Sequence, residues 1–90
     1  MKDKEVRLLF KEIFQEIAPE VLFEQVDTSR PLRDQIEIDS FDFYRIIVQI
    51  SARTGVNIPD SKLTEMKNLD QLIEYVLQKT SEQSTHHRQL

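Results

Sequence analysis

The chain contains no cysteine, no tryptophan and a single glycine among its 90 residues. Without cysteine, neither a disulfide framework nor a thiolate zinc site is available, so a small core must be stable unaided and any thiol chemistry needs an added group. One glycine is too few for a glycine-rich phosphate loop. The apolar runs, at most three residues long, are far too short to cross a bilayer, and the start lacks a secretory hydrophobic region. We therefore expect one small, soluble, cytoplasmic domain.

The net charge of −4 is mild, but it is unevenly distributed along the chain. Residues 20–42 contain seven acids and two arginines, a net charge of −5, so the rest of the chain sums to +1. This acidic segment surrounds Ser40. A negative field repels nucleic acid and steers basic partner surfaces toward this region. A solvated loop would have the same composition, so the charges alone leave both interpretations open.

Apolar residues spaced three and four apart predict an all-α fold, a bundle of three main helices plus one short helix. The first helix is predicted from about Asp3 to Ala18, because Pro19 forces the preceding residue out of helical geometry. The second is predicted to begin at Asp39 or Ser40 and to reach about Thr54. No segment has the period of two that a strand requires. The predicted inward faces of these two helices comprise Val6, Leu9, Phe10, Ile13, Phe14, Ile17, Phe43, Ile46, Ile47 and Ile50.

The ends of the later helices are marked by particular residues. Gly55 suits the left-handed position that closes many helices, so the second helix should end beside it. The short helix is predicted after the Asn-Ile-Pro-Asp segment at 57–60. Asn68 is predicted to cap the last helix, with Gln71 three residues later forming a capping-box-like pair.

The long loop between the first and second helices and the end of the chain differ in apolar content. The loop has about twenty residues, which is long for a compact domain, but its apolar residues favour an ordered conformation. Its predicted anchors are Val21, Leu22, Val26, Leu32 and Ile36. After residue 80 the sequence is polar and has only Leu90 to bury, which cannot offset the entropy of ordering. We therefore expect a folded domain at 1–80 and a disordered polar tail at 81–90. We expect His86 and His87 to be solvated there, and we predict no metal site.

The segment Ile38-Asp39-Ser40-Phe41-Asp42 places one serine hydroxyl between two carboxylates at the predicted start of a helix. The unpaired amides and the positive dipole end at such a position stabilise an attached anion by about 0.3 to 1 kcal/mol. A serine is a weak nucleophile without an adjacent base, and no histidine lies near it in sequence. We therefore predict no catalytic residue and no enzyme activity, and activation of Ser40 by another protein. The simpler alternative is that Asp39 and Ser40 are only N-cap residues.

This segment resembles the Asp-Ser-Leu signature of acyl and peptidyl carrier proteins, in which Asp39, Ser40 and Asp42 match and Phe41 replaces the leucine. The resemblance covers roughly residues 5–79. It implies that a phosphopantetheinyl transferase, using coenzyme A, attaches 4′-phosphopantetheine to Ser40 through a phosphodiester. It further implies a monomeric carrier for fatty acid or secondary metabolite biosynthesis, which holds acyl groups as thioesters and is served by acyl-transferring or acyl-modifying enzymes.

Three positions depart from the pattern of that family. Glu37 stands where the family usually has glycine. Arg45 replaces a glutamate five residues after the serine, and Ser51-Ala52-Arg53 replaces an acidic run. Because charge at an interface rim tunes partner choice, the broken negative stripe favours a specialised carrier over a housekeeping one. The alternative is that Arg45 and Arg53 merely form surface ion pairs of little energetic value.

We predict that the partner-binding residues are Phe41, Asp42, Arg45 and Val48. Phe41, Tyr44 and Val48 have the spacing of one helical strip, and we expect Phe41 to be at least partly exposed but Tyr44 to be buried in the core. An alternative function follows from the same strip, namely a helical protein-interaction module that is never modified. If an acyl chain enters the bundle as it does in the family, the candidate lining residues are Ile46, Ile50, Leu63 and Val76.

Overall fold

A computed structural model of the chain describes the backbone of residues 1–88 and the side chains of residues 1–81. Its helices are α1 (Asp3–Ile17), α2 (Ser40–Thr54), α3 (Asp60–Glu65) and α4 (Leu69–Arg88). Two 3-10 turns, Phe23–Gln25 and Leu32–Asp34, lie in the loop between α1 and α2. No strand occurs in the described part of the chain, and the prediction of three main helices plus one short helix is confirmed.

The helix ends follow the local signals in the sequence. The predicted bounds of α1 and α2 agree with the structure to within one residue. Gly55 adopts the left-handed conformation, with φ 73°, and closes α2. Asn68 caps α4 by accepting a 2.8 Å hydrogen bond from the amide of Gln71. The Gln71 side chain accepts in return from the amide of Lys67 at 2.8 Å. A capping box would place this second bond on the amide of Asn68, one residue later.

The core lies where α1 meets α2 and α4. Each helix contributes the apolar face that its periodicity predicts, and burying one such side chain stabilises the fold by roughly 1.5 to 3 kcal/mol. The largest fully buried side chains are those of Val6, Phe10, Ile13, Phe14, Ile46, Ile50, Val56, Leu69, Ile73 and Val76. Leu8, which departs from the stripe of α1, is exposed. The inward face of α2 is therefore anchored, and its other faces are turned to solvent.

The loop between α1 and α2 is ordered, and most of its predicted anchors are correct. Leu22 is an exception, because 60% of it is exposed. Three consecutive apolar residues cannot all point inward, and here Phe23 takes the inward position, with its ring centroid 5.3 Å from that of Phe14. The other predicted anchors are buried or partly buried: Val21, Val26, Leu32 and Ile36.

The middle of this loop is attached to the beginning of α4. The amide of Asp70 donates to Thr28 O at 2.9 Å, Asn68 Nδ2 donates to Ser29 O at 3.1 Å, and the amide of Leu32 donates to Lys67 O at 3.2 Å. The first of these bonds gives a loop carbonyl to a backbone amide at a helix N-terminus, where such a donor lacks a partner within the helix. The loop is therefore part of the folded body.

α4 is the longest helix, with 20 residues, and it continues to Arg88, past the predicted domain end at residue 80. Elongating a helix adds one backbone hydrogen bond per residue without requiring an apolar partner. The side chains of the last residues, including His86 and His87, lie outside the described part, so the predicted disorder of residues 81–90 in solution stays a prediction. No helix in the described residues is long and apolar enough to cross a membrane.

Candidate functional site

Ser40 is the first residue of α2 and is exposed. The preceding Asp39 is the N-cap, and its Oδ1 accepts a 2.7 Å hydrogen bond from the amide of Phe41. Among residues 1–81, no group is hydrogen-bonded to the Ser40 hydroxyl. The two motif residues therefore have different roles. Asp39 stabilises the helix start, and Ser40 presents an accessible hydroxyl at the tip of the helix.

The charges around Ser40 are mainly negative. Glu37 and Asp39 are exposed, and Asp42 lies one turn into α2, where it pairs with Arg45 at 3.5 Å. The N-terminus of α2 favours an anion bound to Ser40, whereas the flanking carboxylates oppose one. An exposed hydroxyl at a helix N-terminus fits a phosphodiester, and the surrounding acids suit a basic partner surface rather than the phosphate itself.

The described residues place no catalytic base against the Ser40 hydroxyl. The two histidines of the chain are His86 and His87, whose side chains lie outside the described part. Within the described residues, no three His, Cys, Asp or Glu side chains are grouped so as to hold a metal ion. A serine needs an adjacent base to act as a nucleophile, and no group among residues 1–81 is hydrogen-bonded to the Ser40 hydroxyl.

The side chains of Phe41, Tyr44 and Val48 form an exposed apolar strip along α2, with 68%, 56% and 44% of each residue accessible. The predicted exposure of Phe41 is confirmed. The predicted burial of Tyr44 is wrong, because Phe43 and Ile47 occupy the inward positions on either side of it and turn residue 44 outward. The strip begins one residue after Ser40, so whatever approaches the hydroxyl also meets the strip.

The two arginines that depart from the family pattern both form ion pairs, as the alternative interpretation expects, but with different consequences. Arg45 pairs with Asp42 on its own helix. Arg53 contacts α1, with Nη2 3.0 and 3.2 Å from the Glu16 carboxylate oxygens and Nη1 3.5 Å from Glu12. The sequence interpretation missed these partners, although two acids four residues apart on the polar face of α1 were a visible signal. Only Arg45 remains beside the strip as a cation for a partner.

The predicted acyl-lining residues belong to the core. Ile46, Ile50 and Val76 are buried and Leu63 is partly buried. An open groove of about 410 Å³ lies along α3 and α4, where Met66 and Tyr75 are among its lining residues. Neither Ser40 nor any predicted lining residue borders this groove. The role of the four residues in holding an acyl chain therefore stays a prediction.

Comparison with known proteins shows the family to which the chain belongs. A family model described as "Phosphopantetheine attachment site" matches residues 7–76. The chain is 32% identical over 73 residues to an "Acyl carrier protein homolog" of Mycoplasma genitalium, covering 81% of this chain and 86% of the relative. It is 31% identical over 75 residues to an "Acyl carrier protein" of Cyanophora paradoxa (76% and 73%) and 32% identical over 74 residues to one of Thermobifida fusca (82% and 92%). The chain therefore belongs to the phosphopantetheine attachment site family, whose members are carriers rather than enzymes and hold a covalently attached 4′-phosphopantetheine group.

Proposed function

We propose that the chain carries acyl groups on a 4′-phosphopantetheine arm attached to Ser40. The observation that carries this proposal is the exposed Ser40 hydroxyl, which has no hydrogen-bond partner among residues 1–81 and lies at the tip of a capped helix. The names of the relatives support an acyl cargo. When bound, the group supplies a terminal thiol that holds the acyl chain as a thioester.

The residues around Ser40 have supporting roles in this proposal. Asp39 holds the first turn of α2 in place, so that the hydroxyl has one direction of approach. The acids of this region bring a basic transferase or acyl-handling enzyme to the hydroxyl, and contacts steered by charge give fast association. A monomeric state and a cytoplasmic location belong to the same proposal.

Measurement of the intact mass tests the attachment site. After incubation with coenzyme A, Mg²⁺ and a promiscuous phosphopantetheinyl transferase, the protein should gain one phosphopantetheine increment. Ser40→Ala should gain none, whereas Ser61→Ala, which removes another exposed serine, should be modified like the wild type. An unmodified wild-type mass with several transferases would contradict the proposal and favour an unmodified interaction module that binds partners through the apolar strip.

We further propose that this is a specialised carrier, with a partner-binding face made of Phe41, Asp42, Arg45 and Val48. Arg45 is exposed and adds a cation to a face that is otherwise acidic and apolar. A partner that fits this face offers an apolar recess for the strip, a positively charged side chain opposite Asp42 and a negatively charged one opposite Arg45. A partner that presents only bases meets repulsion at Arg45.

Reversing the charge of Arg45 tests this specialisation. Arg45→Glu should raise the affinity for standard fatty acid synthase enzymes, measured by titration calorimetry with the modified protein. Arg33→Glu makes the same change of charge at an exposed loop position and should have a smaller effect, since it leaves α2 unaltered. Equal affinities for the wild type and Arg45→Glu would make Arg45 an ordinary surface residue.

A further inference from the structure

One side-chain amide closes the part of the loop that precedes Ser40. Gln35 Oε1 accepts a 2.7 Å hydrogen bond from the amide of Asp27, and Gln35 Nε2 donates a 2.8 Å bond to the carbonyl oxygen of the same residue. Nε2 also lies 3.2 Å from Arg30 O and 3.4 Å from Pro31 O. Both backbone polar groups of Asp27 are thus satisfied by Gln35. We call residues 27–35 the closed segment.

The other end of the closed segment is held by the carboxylate of Asp27. Its Oδ1 accepts from the amide of Ser29 at 3.0 Å and from the hydroxyl of Ser29 at 2.6 Å. These two bonds lower the pKa of the Asp27 carboxyl below its ordinary value, because both stabilise its charged form. Asp27 is therefore held through its backbone by Gln35 and through its side chain by Ser29.

The closed segment lies between two structured parts of the molecule. Thr28, Ser29 and Leu32 attach it to the start of α4, as described above. On the other side, only residues 36–39 separate Gln35 from Ser40, and two of these, Ile36 and Ile38, pack partly buried against the core. An unrestrained loop of this length would sample many conformations, and ordering it costs roughly 1 to 2 kcal/mol per residue. The loop backbone that leads to Ser40 is therefore restrained both at its attachment to α4 and at residues 36–38.

We propose that Gln35 is a positioning residue, whose amide keeps the closed segment shut so that residues 36–39 present Ser40 to the transferase in one conformation. The inference rests on the proposed attachment of phosphopantetheine at Ser40. When Gln35 is removed, a fraction of the molecules has an open loop, and the apparent affinity of the transferase falls in proportion to the fraction that remains closed. The chemical step, once Ser40 is engaged, is unaffected.

The ordering role is tested by hydrogen exchange on the unmodified protein, without any transferase. Gln35→Ala should lower the protection of the hydrogen-bonded amides of Arg30, Leu32 and Ile36 by about fivefold, the equivalent of one neutral hydrogen bond, and leave α1 unchanged. Gln35→Glu keeps an acceptor for the Asp27 amide but places a carboxylate against a carbonyl oxygen, so it should behave like alanine. Gln15→Ala is the matched control, since Gln15 is exposed on α1 and has no side-chain hydrogen bond among the described residues.

The effect on modification is tested by initial rates, with coenzyme A saturating and the protein concentration varied. Gln35→Ala should raise KM, by up to about fivefold, with kcat unchanged, as expected when only the closed fraction is competent. Unchanged exchange at Arg30, Leu32 and Ile36, or a KM equal to that of Gln15→Ala, would overturn the inference and leave the proposed function standing. A wild-type protein that is never modified would instead contradict the proposed function and, with it, the role of Gln35 toward the transferase.

Discussion

The two ends of α2 are built for different purposes. The first turns expose Ser40 and the apolar strip, and their cation, Arg45, pairs within the same helix. The last turns bury Ile50 and attach to α1 through Arg53. A helix that is anchored along its inward face, and held to α1 at its C-terminal end, can expose its N-terminal tip and an apolar strip without leaving the bundle. The difference shows how a small helical bundle keeps an exposed apolar strip without loss of its core.

The largest effect should come from truncating the buried side of α2. Ile50→Ala removes a fully buried side chain and should lower the free energy of unfolding by about 2 to 5 kcal/mol. Val48→Ala, two residues away on the exposed strip, should change it by less than about 0.5 kcal/mol. Chemical denaturation monitored by circular dichroism measures both. Similar losses at the two positions would mean that the strip is a structural part of the core.

A smaller effect is expected at the first turn, where Asp39 is the cap. Asp39→Ala should cost about 1 kcal/mol, whereas Asp39→Asn keeps a capping oxygen and should cost only a few tenths. Thermal unfolding measures the difference. If the alanine variant were as stable as the asparagine variant, the hydrogen bond from the Phe41 amide to Asp39 would contribute nothing to the stability of the helix start.

Replacing the two arginines of α2 should change the free energy of unfolding by still smaller amounts, and the two changes should differ between the ends of the helix. Arg53→Ala should cost up to about 1 kcal/mol at low ionic strength, because one guanidinium contacts two acids of α1, and the loss should shrink in salt. Arg45→Ala should cost less than about 0.5 kcal/mol, as for an exposed pair within one helix. Urea denaturation at two salt concentrations distinguishes them. A salt-independent cost at Arg53 would indicate packing of its stem rather than charge.

The smallest effect on stability is expected at the end of α4. Removal of residues 81–90 should leave the melting temperature nearly unchanged, since this segment has only Leu90 to bury. Scanning calorimetry of the full chain and of residues 1–80 measures it. A fall of many degrees would show that the segment docks on the domain.

Local patterns predicted the helices, and they predicted the site only in part. Gly55 and Asn68 ended and began helices as expected, because caps depend on neighbouring residues. The acids of α1 are visible in the sequence, but the pairing of Arg53 with Glu16, 37 positions away, depends on how the two helices approach. Gln35 carried no signal in the sequence, because its bonds exist only once the loop has folded. The outward turn of Tyr44 was predictable in principle from the positions of Phe43 and Ile47.

The exposure of Tyr44 has a practical consequence. The chain has no tryptophan and two tyrosines, so intrinsic emission arises from two rings. Tyr75 is partly buried and its hydroxyl donates to Asn57 O at 3.4 Å, whereas Tyr44 lies in the open one turn from Ser40. In a Tyr75→Phe background, Tyr44 is the one tyrosine left and lies close to Ser40, so a tryptophan-free partner that binds over the strip should change its emission without any added dye.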